Sequence, residues 1–198
     1  MNRLFPLFVK LEGRKCLVVG AGKIAESKVA SLLDTGAAVH VVAPEATGRI
    51  KAWARTGALH WHRRKFRDTD LTGCFLVVAA TSFRKLHERI FRSAKRRNII
   101  CNVADVPDLC DFYYPAVVHR GSLQVAISTA GKSPALAQRL RKELQAQFGP
   151  EYEEWIEKLG LERERLRMAG IPVAELNSQL HEMATDSSFR RFLKHRKN

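Results

Sequence analysis

The sequence predicts an α/β fold in which helices cover a mostly parallel sheet. Between about residues 14 and 105, short apolar segments typical of buried strands alternate with segments whose apolar residues recur at helical spacing. The alternation starts at residues 16–25, where an apolar strand meets a glycine turn that opens a helix. Because each strand is followed by a crossover, we expect the strands to run parallel and ligands to bind at their carboxyl ends.

The individual elements follow from the same patterns. Strands are predicted at residues 16–19, 39–42, 59–62, 75–80 and 99–103, and helices at about 27–33, 46–55 and 84–97. Thr81 and Ser82 are predicted to cap the last of these helices. Gly20, Thr81 and Asp105 follow three of the strands, so one crevice could hold all three.

The glycine turn has the composition of a dinucleotide phosphate site. Gly20 permits a tight turn, Gly22 lets the backbone approach a pyrophosphate, and Ala25 lets helix and strand pack closely. The helix that follows offers free N–H groups and positive potential. The candidate phosphate-binding residues are Gly20, Ala21, Gly22, Lys23 and Ile24. A glycine turn in an α/β domain that binds no nucleotide is the alternative.

The end of the second strand is the expected adenosine end of this site. An acidic residue about 20 positions beyond the glycines would hold the ribose, but the strand ends in Ala43 and Pro44, and the nearest acid is Glu45. No Arg or Lys directly follows the strand to receive a 2′-phosphate. The pattern therefore favours NAD over NADP.

The alternation stops near residue 112. Residues 113–118 and 123–128 are predicted to form two strands joined by a tight turn, and Ser133 and Pro134 to begin a helix whose N-terminus is a second anion site. The last fifty residues are predicted to be helical. We therefore expect a dinucleotide-binding domain at residues 1–111, a hairpin-plus-helix segment at 112–148 and a helical domain at 149–198.

Composition narrows the classes of protein. The chain has 198 residues, 45% of them hydrophobic, and its net charge of +14 predicts attraction to anions. The basic residues are dispersed and no nucleic-acid recognition motif accompanies them, which disfavours nucleic acid as the partner. No apolar run is long enough to span a membrane, and the start at residues 1–6 does not resemble a secretory signal, so we expect a cytoplasmic protein. The four cysteines form no Cys-x-x-Cys pair, so neither disulfides nor a zinc site is predicted.

Five motifs in order resemble the precorrin-2 dehydrogenase family of sirohaem biosynthesis. They are residues 5–8 (FPLF), 19–28 (VGAGKIAESK), 79–82 (AATS), 102–105 (NVAD) and 125–134 (VAISTAGKSP). The likeness spans nearly the whole chain. It implies an N-terminal NAD-binding domain, a central dimerisation segment in a homodimer, and a small helical C-terminal domain, which matches the three regions above.

The resemblance also implies an activity. Members of this family remove two electrons and two protons from precorrin-2, with hydride passing to NAD, and some also insert ferrous iron. The matching position for the family's catalytic aspartate is Asp105, whose alternative is a turn-forming role. Ala80, Thr81, Asn102 and Val103 lie in the matching motifs and are candidate cofactor-binding residues. Since no methyltransferase segment follows residue 198, another polypeptide is expected to supply precorrin-2.

A substrate with many carboxylates would account for the net charge. The residues predicted to contact it are His119, Arg120, Ser128, Lys132 and Ser133. Each has an alternative: His119 and Arg120 could form only a hairpin tip, and Ser133 could be only a helix cap.

The seven histidines show no spacing typical of a zinc site. His60 and His62 share a strand face, which an exposed strand explains, so no protein metal site is predicted. The alternative functions are an NAD-sensing regulatory module without catalysis and, disfavoured by the dispersed charge, a nucleic-acid-binding protein.

Overall fold

The computed structural model describes residues 4–196, and these divide into two compact units with the boundary between Tyr113 and Tyr114. Residues 1–3, part of the start that does not resemble a secretory signal, and residues 197–198, the end of the predicted helical domain, lie outside the described residues. The hairpin-plus-helix segment and the helical domain predicted beyond residue 112 both fall in the second unit. Their separation into two domains stays a prediction.

Unit 1 is built on a five-stranded sheet in which every pair of neighbouring strands runs parallel. The strands, in the spatial order β3-β2-β1-β4-β5, are β1 (Lys15–Val19), β2 (Ala38–Val42), β3 (His60–His62), β4 (Leu76–Ala79) and β5 (Ile100–Val103). The chain reverses its direction across the sheet between β1 and β4, so the carboxyl ends of these two central strands flank a crevice. The predicted α/β fold is confirmed.

Three helices connect these strands. They are α1 (Lys23–Leu33), α2 (Gly48–Arg55) and α3 (Arg84–Lys95), with short 3₁₀ helices at Asp68–Leu71 and Pro107–Leu109. The buried residues of α1 are Ala25, Val29 and Leu32, the stripe that helical periodicity places on one face. Helix α2 begins two residues later than predicted, because the hydroxyl of Thr47 accepts a hydrogen bond from the Ile50 N–H and so caps it.

The predicted cap of α3 is wrong. Its N-cap is Phe83, which makes no side-chain cap, and Ser82 lies outside the helix. The Thr81 hydroxyl instead lies 3.3 Å from the Phe83 N–H and 3.0 Å from Nε2 of His87. The threonine thus shapes the turn between β4 and α3 and joins it to a buried histidine.

The core of unit 1 is the sheet itself with the apolar faces that cover it. One cluster joins alternate residues of the central strands to α3 and to the segment before β4, and it includes Leu17, Val77, Leu71 and Ile90. All four cysteines are free, and Cys16 and Cys101 lie in this interior. Burial raises the pKa of Cys16 to about 11 and that of Cys101 to about 12, so both behave as apolar packing groups.

Unit 2 consists of a hairpin followed by four helices. Its elements are β6 (Ala116–Arg120), β7 (Leu123–Ile127), α4 (Pro134–Gln147), α5 (Glu151–Met168), α6 (Val173–Met183) and α7 (Asp186–His195). The two strands are antiparallel and are joined by a two-residue turn at Gly121 and Ser122. The Ser122 hydroxyl donates to Glu157, which fastens the turn to α5. Trp155 of α5 packs against Phe192 of α7 with ring centroids 5.1 Å apart.

None of the helices in the described part of the chain is long and apolar enough to cross a bilayer.

Truncation of Leu71 should lower the urea concentration at which unit 1 unfolds. Leu71 is fully buried in the cluster, so Leu71→Ala should lower the free energy of unfolding by about 2–5 kcal/mol, measured by urea titration. The matched control is Leu161→Ala, because Leu161 is 75% exposed on α5. Equal midpoints for the two variants would contradict the assignment of Leu71 to the core.

Candidate functional site: the carboxyl-end crevice

The turns after four parallel strands are held together by backbone hydrogen bonds. Gly20 N–H donates to the Val42 carbonyl at 3.0 Å, Ala80 N–H to the Val19 carbonyl at 2.8 Å, and Ala104 N–H to the Ala79 carbonyl at 2.9 Å. Each bond runs from the residue after one strand to the end of its neighbour. The structure therefore brings the turns that carry Gly20, Ala43, Ala80 and Asp105 to one edge of the sheet.

The backbone conformation and surroundings of residue 20 require a glycine. Its φ is +105°, and a Cβ placed on it would lie 2.1 Å from the Ala80 carbonyl oxygen and 3.2 Å from Cγ2 of Thr81. Any side chain would therefore collide with the turn after β4. This contact explains why the first glycine of the motif must be a glycine, and it places the β1–α1 and β4–α3 turns in direct contact.

Gly22 differs from Gly20 in having open space beside it. Its φ is −84°, a value that any residue can adopt, and a Cβ there would meet nothing within 4 Å. Gly22 is the N-cap of α1 and supplies no side-chain cap to the first turn. The start of α1 therefore presents N–H groups beside an open cradle, which fits the pyrophosphate of a dinucleotide.

The residues around this cradle fall into exposed and buried sets. Lys23 and Ile24 are exposed at the start of α1, and Ile24 keeps 52% of its surface. Ala21 is buried, and its carbonyl accepts from the Thr47 N–H at 3.1 Å, which braces the turn against the start of α2. Lys23 and Ile24 are thus the predicted phosphate residues whose side chains are open to a ligand.

The expected adenosine end is braced from the edge strand. The Ala43 carbonyl accepts from Nε1 of Trp61 at 3.0 Å, and the Ala43 N–H donates to the His62 carbonyl at 3.3 Å. Pro44 and Glu45 follow as exposed residues. Glu45 is therefore the one carboxylate of this turn open to solvent, and its predicted contact with a ribose stays a prediction.

Asp105 is exposed and has a left-handed backbone, with φ of +61°. Aspartate is one of the few residues other than glycine that visits this region, and such residues often mark functional turns. The segment that follows Asp105 folds back onto β5. Asn102 Nδ2 donates to the Phe112 carbonyl at 2.8 Å, and the Asp111 carboxylate accepts from the Cys101 N–H at 3.0 Å.

Asn102 and Val103 hold this loop from the inside. Asn102 is only 7% exposed, and the backbone N–H of Val103 lies 3.3 Å from Sγ of Cys110. The Cys110 thiol in turn lies 3.2 Å from the Val103 carbonyl and 3.3 Å from that of Val106. The structure thus shows that both residues anchor the Asp105 turn, while their predicted contact with the cofactor stays a prediction.

Two residues near the crevice were not among the predicted site residues. Lys28 of α1 is half-buried and borders the buried stripe of that helix, and burial lowers its pKa below the ordinary value of 10.5 while the charge of Asp105 opposes the shift. Phe83 is 70% exposed directly after the β4–α3 turn. A lysine beside an apolar helical stripe is a signal visible in the sequence. The exposure of Phe83 cannot be read from the sequence in this way, because that exposure depends on where α3 begins.

The predicted substrate residues lie in unit 2, and Arg120 has a structural task there. Its guanidinium donates to the carbonyls of Phe148 at 2.8 Å, Gln145 at 2.9 Å and His119 at 2.8 Å. Arg120 therefore joins β6 to the carbonyl end of α4, where a cation is favoured. These bonds engage three of its five N–H groups, so two remain for the predicted contact with a substrate carboxylate. His119 is exposed beside Arg120 on β6.

The loop before α4 carries the other three candidates. Its hydroxyls accept from its own backbone: Ser128 from the Ala130 N–H at 3.1 Å, Thr129 from the Ser133 N–H at 3.2 Å, and Ser133 from the Leu136 N–H at 3.2 Å. Ser133 is thus the helix cap that was the alternative interpretation. Lys132 is exposed at the surface of the same loop.

Comparison with known proteins identifies the family. Residues 7–116, more than half of the chain, match the family described as "Putative NAD(P)-binding". The chain belongs to this family. Residues 120–147, directly after that region, match the family described as "Sirohaem biosynthesis protein central".

Named relatives agree with the predicted resemblance to the precorrin-2 dehydrogenase family, which is confirmed. The siroheme synthase of Nitrosococcus oceani is 40% identical over 140 residues, which are 71% of this chain and 30% of that protein. The siroheme synthase of Pseudomonas entomophila is 44% identical over 149 residues, or 75% of this chain and 32% of that protein. The chain thus spans about a third of the length of these curated relatives.

A solved structure matches the chain almost from end to end. SirC, a precorrin-2 dehydrogenase, superposes with a TM-score of 0.80 at 29% sequence identity and covers 97% of this chain and 98% of its own. The match includes the NAD(P)-binding region and the helical C-terminal region alike.

Substitution of Gly20 should disrupt the crevice. Gly20→Ala should cost more than about 1 kcal/mol from its positive φ alone, and the clash with the Ala80 carbonyl adds to this cost. We expect a lower melting temperature and no measurable dinucleotide binding in a calorimetric titration. The control is Gly73→Ala, which has a φ of +70° but open space. If Gly73→Ala matched Gly20→Ala in both measurements, the close approach to Ala80 would not be the cause.

Proposed function

We propose that this chain is an NAD-dependent dehydrogenase that oxidises precorrin-2 to sirohydrochlorin in sirohaem biosynthesis. The observation that carries the proposal is the likeness to SirC, which covers both chains nearly completely. The crevice supports it independently, since a glycine turn, an uncapped helix start and an exposed carboxylate meet at the carboxyl edge of one parallel sheet.

The cofactor side of the reaction rests on the start of α1. NAD, when bound, accepts the hydride. The N–H groups that follow Gly22 would hold its pyrophosphate, and the exposed side chains of Ile24 and Phe83 would shield its rings from water. The preference for NAD over NADP rests on the turn after β2, where Glu45 and not a basic residue follows Pro44.

Asp105 is the proposed proton acceptor. Removal of a hydride from the macrocycle must be accompanied by loss of a proton, and an exposed carboxylate at the edge of the sheet can accept it. The left-handed turn fixes the direction of the Asp105 backbone, and the bonds made by Asn102 and Cys110 hold that turn in place. The charge of Lys28 interacts with that of Asp105, so Lys28 is the cation that would accompany this carboxylate.

Substrate binding is proposed to use the positive charge of the chain. Precorrin-2 is a macrocycle with many carboxylates, and a net charge of +14 would steer it towards the protein. Lys132 and His119 are exposed, so their side chains could contact a carboxylate as they stand. Ser128 and Ser133 would shape the loop around Lys132, and Arg120 would hold β6 and α4 together.

Assembly as a homodimer remains part of the proposal. The support is the match of residues 120–147 to the central region of sirohaem biosynthesis proteins, which falls in the segment predicted to mediate dimerisation. Sedimentation equilibrium of the purified chain measures the mass directly.

The proposed reaction and the role of Asp105 are tested by one assay. Protein, NAD and precorrin-2 are mixed without oxygen, and sirohydrochlorin absorbance is followed. The wild type should turn over, and Asp105→Asn should lower kcat by about 10²–10⁴-fold, because the amide keeps the turn but cannot accept the proton. NAD affinity should be unchanged.

The control for this assay is Asp108→Asn, because Asp108 is also an exposed aspartate of the same loop. A wild type that binds NAD without turnover would favour the regulatory module instead. Wild-type activity in Asp105→Asn would remove only the role given to that residue. Adding ferrous iron to the product tests whether the chain also makes sirohaem.

The open cradle at Gly22 gives a second prediction. A methyl group there meets no protein atom within 4 Å and the φ of −84° is allowed, so Gly22→Ala should keep the melting temperature of the wild type. It should nevertheless weaken NAD binding, because the methyl group occupies space needed by the pyrophosphate. Melting temperature and NAD titration are measured on the same sample. Unchanged NAD affinity would place the pyrophosphate elsewhere.

A further inference from the structure

Three histidines share one face of the outer edge of the sheet in unit 1. His40 of β2 and His60 of β3 are register partners, and His62 follows two residues later on the same face of β3. The His40 ring centroid lies 4.9 Å from that of His60 and 5.6 Å from that of His62. His60 and His62 are exposed and His40 is half-buried. The sequence pattern places only His60 and His62 on one strand face. His40 joins them through the register between β2 and β3, which the pattern does not specify.

Two nitrogen atoms of this cluster meet at a distance suited to a metal ion. Nδ1 of His40 lies 3.3 Å from Nε2 of His62. Two imidazole nitrogens bound at about 2.1 Å to one tetrahedral cation are about 3.4 Å apart, and at a right angle about 3.0 Å. The two rings meet nearly head-on and close to one plane, as in a hydrogen bond. Each ring would therefore turn by about 35° to direct its nitrogen lone pair at one tetrahedral ion.

We propose that His40 and His62 together bind one late first-row divalent cation, of the class of Zn²⁺, Ni²⁺ or Cu²⁺, with water in the remaining positions. Neutral imidazole is a preferred ligand for these ions. The parallel pairing of β2 and β3 fixes the backbone positions from which the two ligands project, and the His60 ring stacks beside His40. The site uses none of the residues assigned to the proposed dehydrogenase reaction.

The surroundings predict a weak, open site. Among residues 4–196, no cluster of three or more His, Cys, Asp or Glu side chains is placed to hold a metal ion, so the protein supplies two ligands. Lys15 and Asp70 lie near enough to act electrostatically on His40 and His62 respectively. The Lys15 ammonium donates to the carbonyls of Asp70 and Thr72, and the Asp70 carboxylate accepts from Arg64. The positive and negative charges beside the site therefore partly offset each other.

The test is a calorimetric titration of the full chain, prepared without a histidine tag, with Zn²⁺ alone at neutral pH. The wild type should bind one equivalent. His62→Gln and His40→Gln should each weaken binding at least about tenfold, because each removes one of two ligands. The matched control is His181→Gln, since His181 is exposed on α6 and its Nδ1 lies 2.7 Å from the Asn177 carbonyl.

A spectroscopic measurement makes the result independent of folding in the variants. Electron paramagnetic resonance of bound Cu²⁺ should show two imidazole nitrogens in the wild type and one in His62→Gln. Because His62 is exposed, this substitution should leave the fold intact. The proposal is overturned if the wild type shows no saturable binding, or if His62→Gln binds like the wild type. In either case the contact is only a hydrogen bond between the two rings. Neither outcome bears on the dehydrogenase, because no dinucleotide or tetrapyrrole is present.

Discussion

The close approach of Gly20 to the Ala80 carbonyl is the contact on which the crevice depends. Pairing of β1 with β4 puts Val19 opposite Ala79, so the next residue of each strand must share the same edge. A Cβ on residue 20 would lie only 2.1 Å from the Ala80 carbonyl oxygen. The two turns therefore fit together only because Gly20 has no side chain. The position of the α1 start relative to Thr81 and Phe83 follows from this contact.

The Asp105 turn is held by a different principle. Its own side chain is exposed, and the fixed geometry comes from residues behind it. Buried Asn102 donates to the Phe112 carbonyl of the returning segment, and the Cys110 thiol of that segment bonds to the Val103 carbonyl of β5. A buried amide must find such partners, because leaving it unpaired would cost about 1–3 kcal/mol. The hydrogen bonds that satisfy Asn102 therefore also hold the loop that presents the carboxylate, and the left-handed strain at Asp105 is maintained by its surroundings.

Sequence patterns were informative where one segment determines its own structure. The buried run at 16–19, the turn at Gly20 and the helix after it could be predicted because strand, turn and helix signals follow one another directly. The N-cap at Phe83 could not be predicted. The Thr81 hydroxyl, which was expected to cap the helix, instead forms a hydrogen bond with His87, six residues further on. The His40 and His62 pair and the clamp made by Arg120 depend on strand register and on tertiary contacts, which local patterns do not specify.

The two helix starts predicted to attract anions have different physical characters. At α4, the hydroxyl of Ser133 already occupies the Leu136 N–H, and Thr129 occupies that of Ser133, so the loop satisfies its own donors. At α1, the N-cap is a glycine with open space and no side-chain cap. A side-chain cap stabilises a helix start by about 1 kcal/mol. Without one, the first backbone N–H groups of α1 are available to a ligand. The start of α1 is therefore the better candidate for the phosphate groups, and near α4 the exposed Lys132 is the proposed contact for an anion.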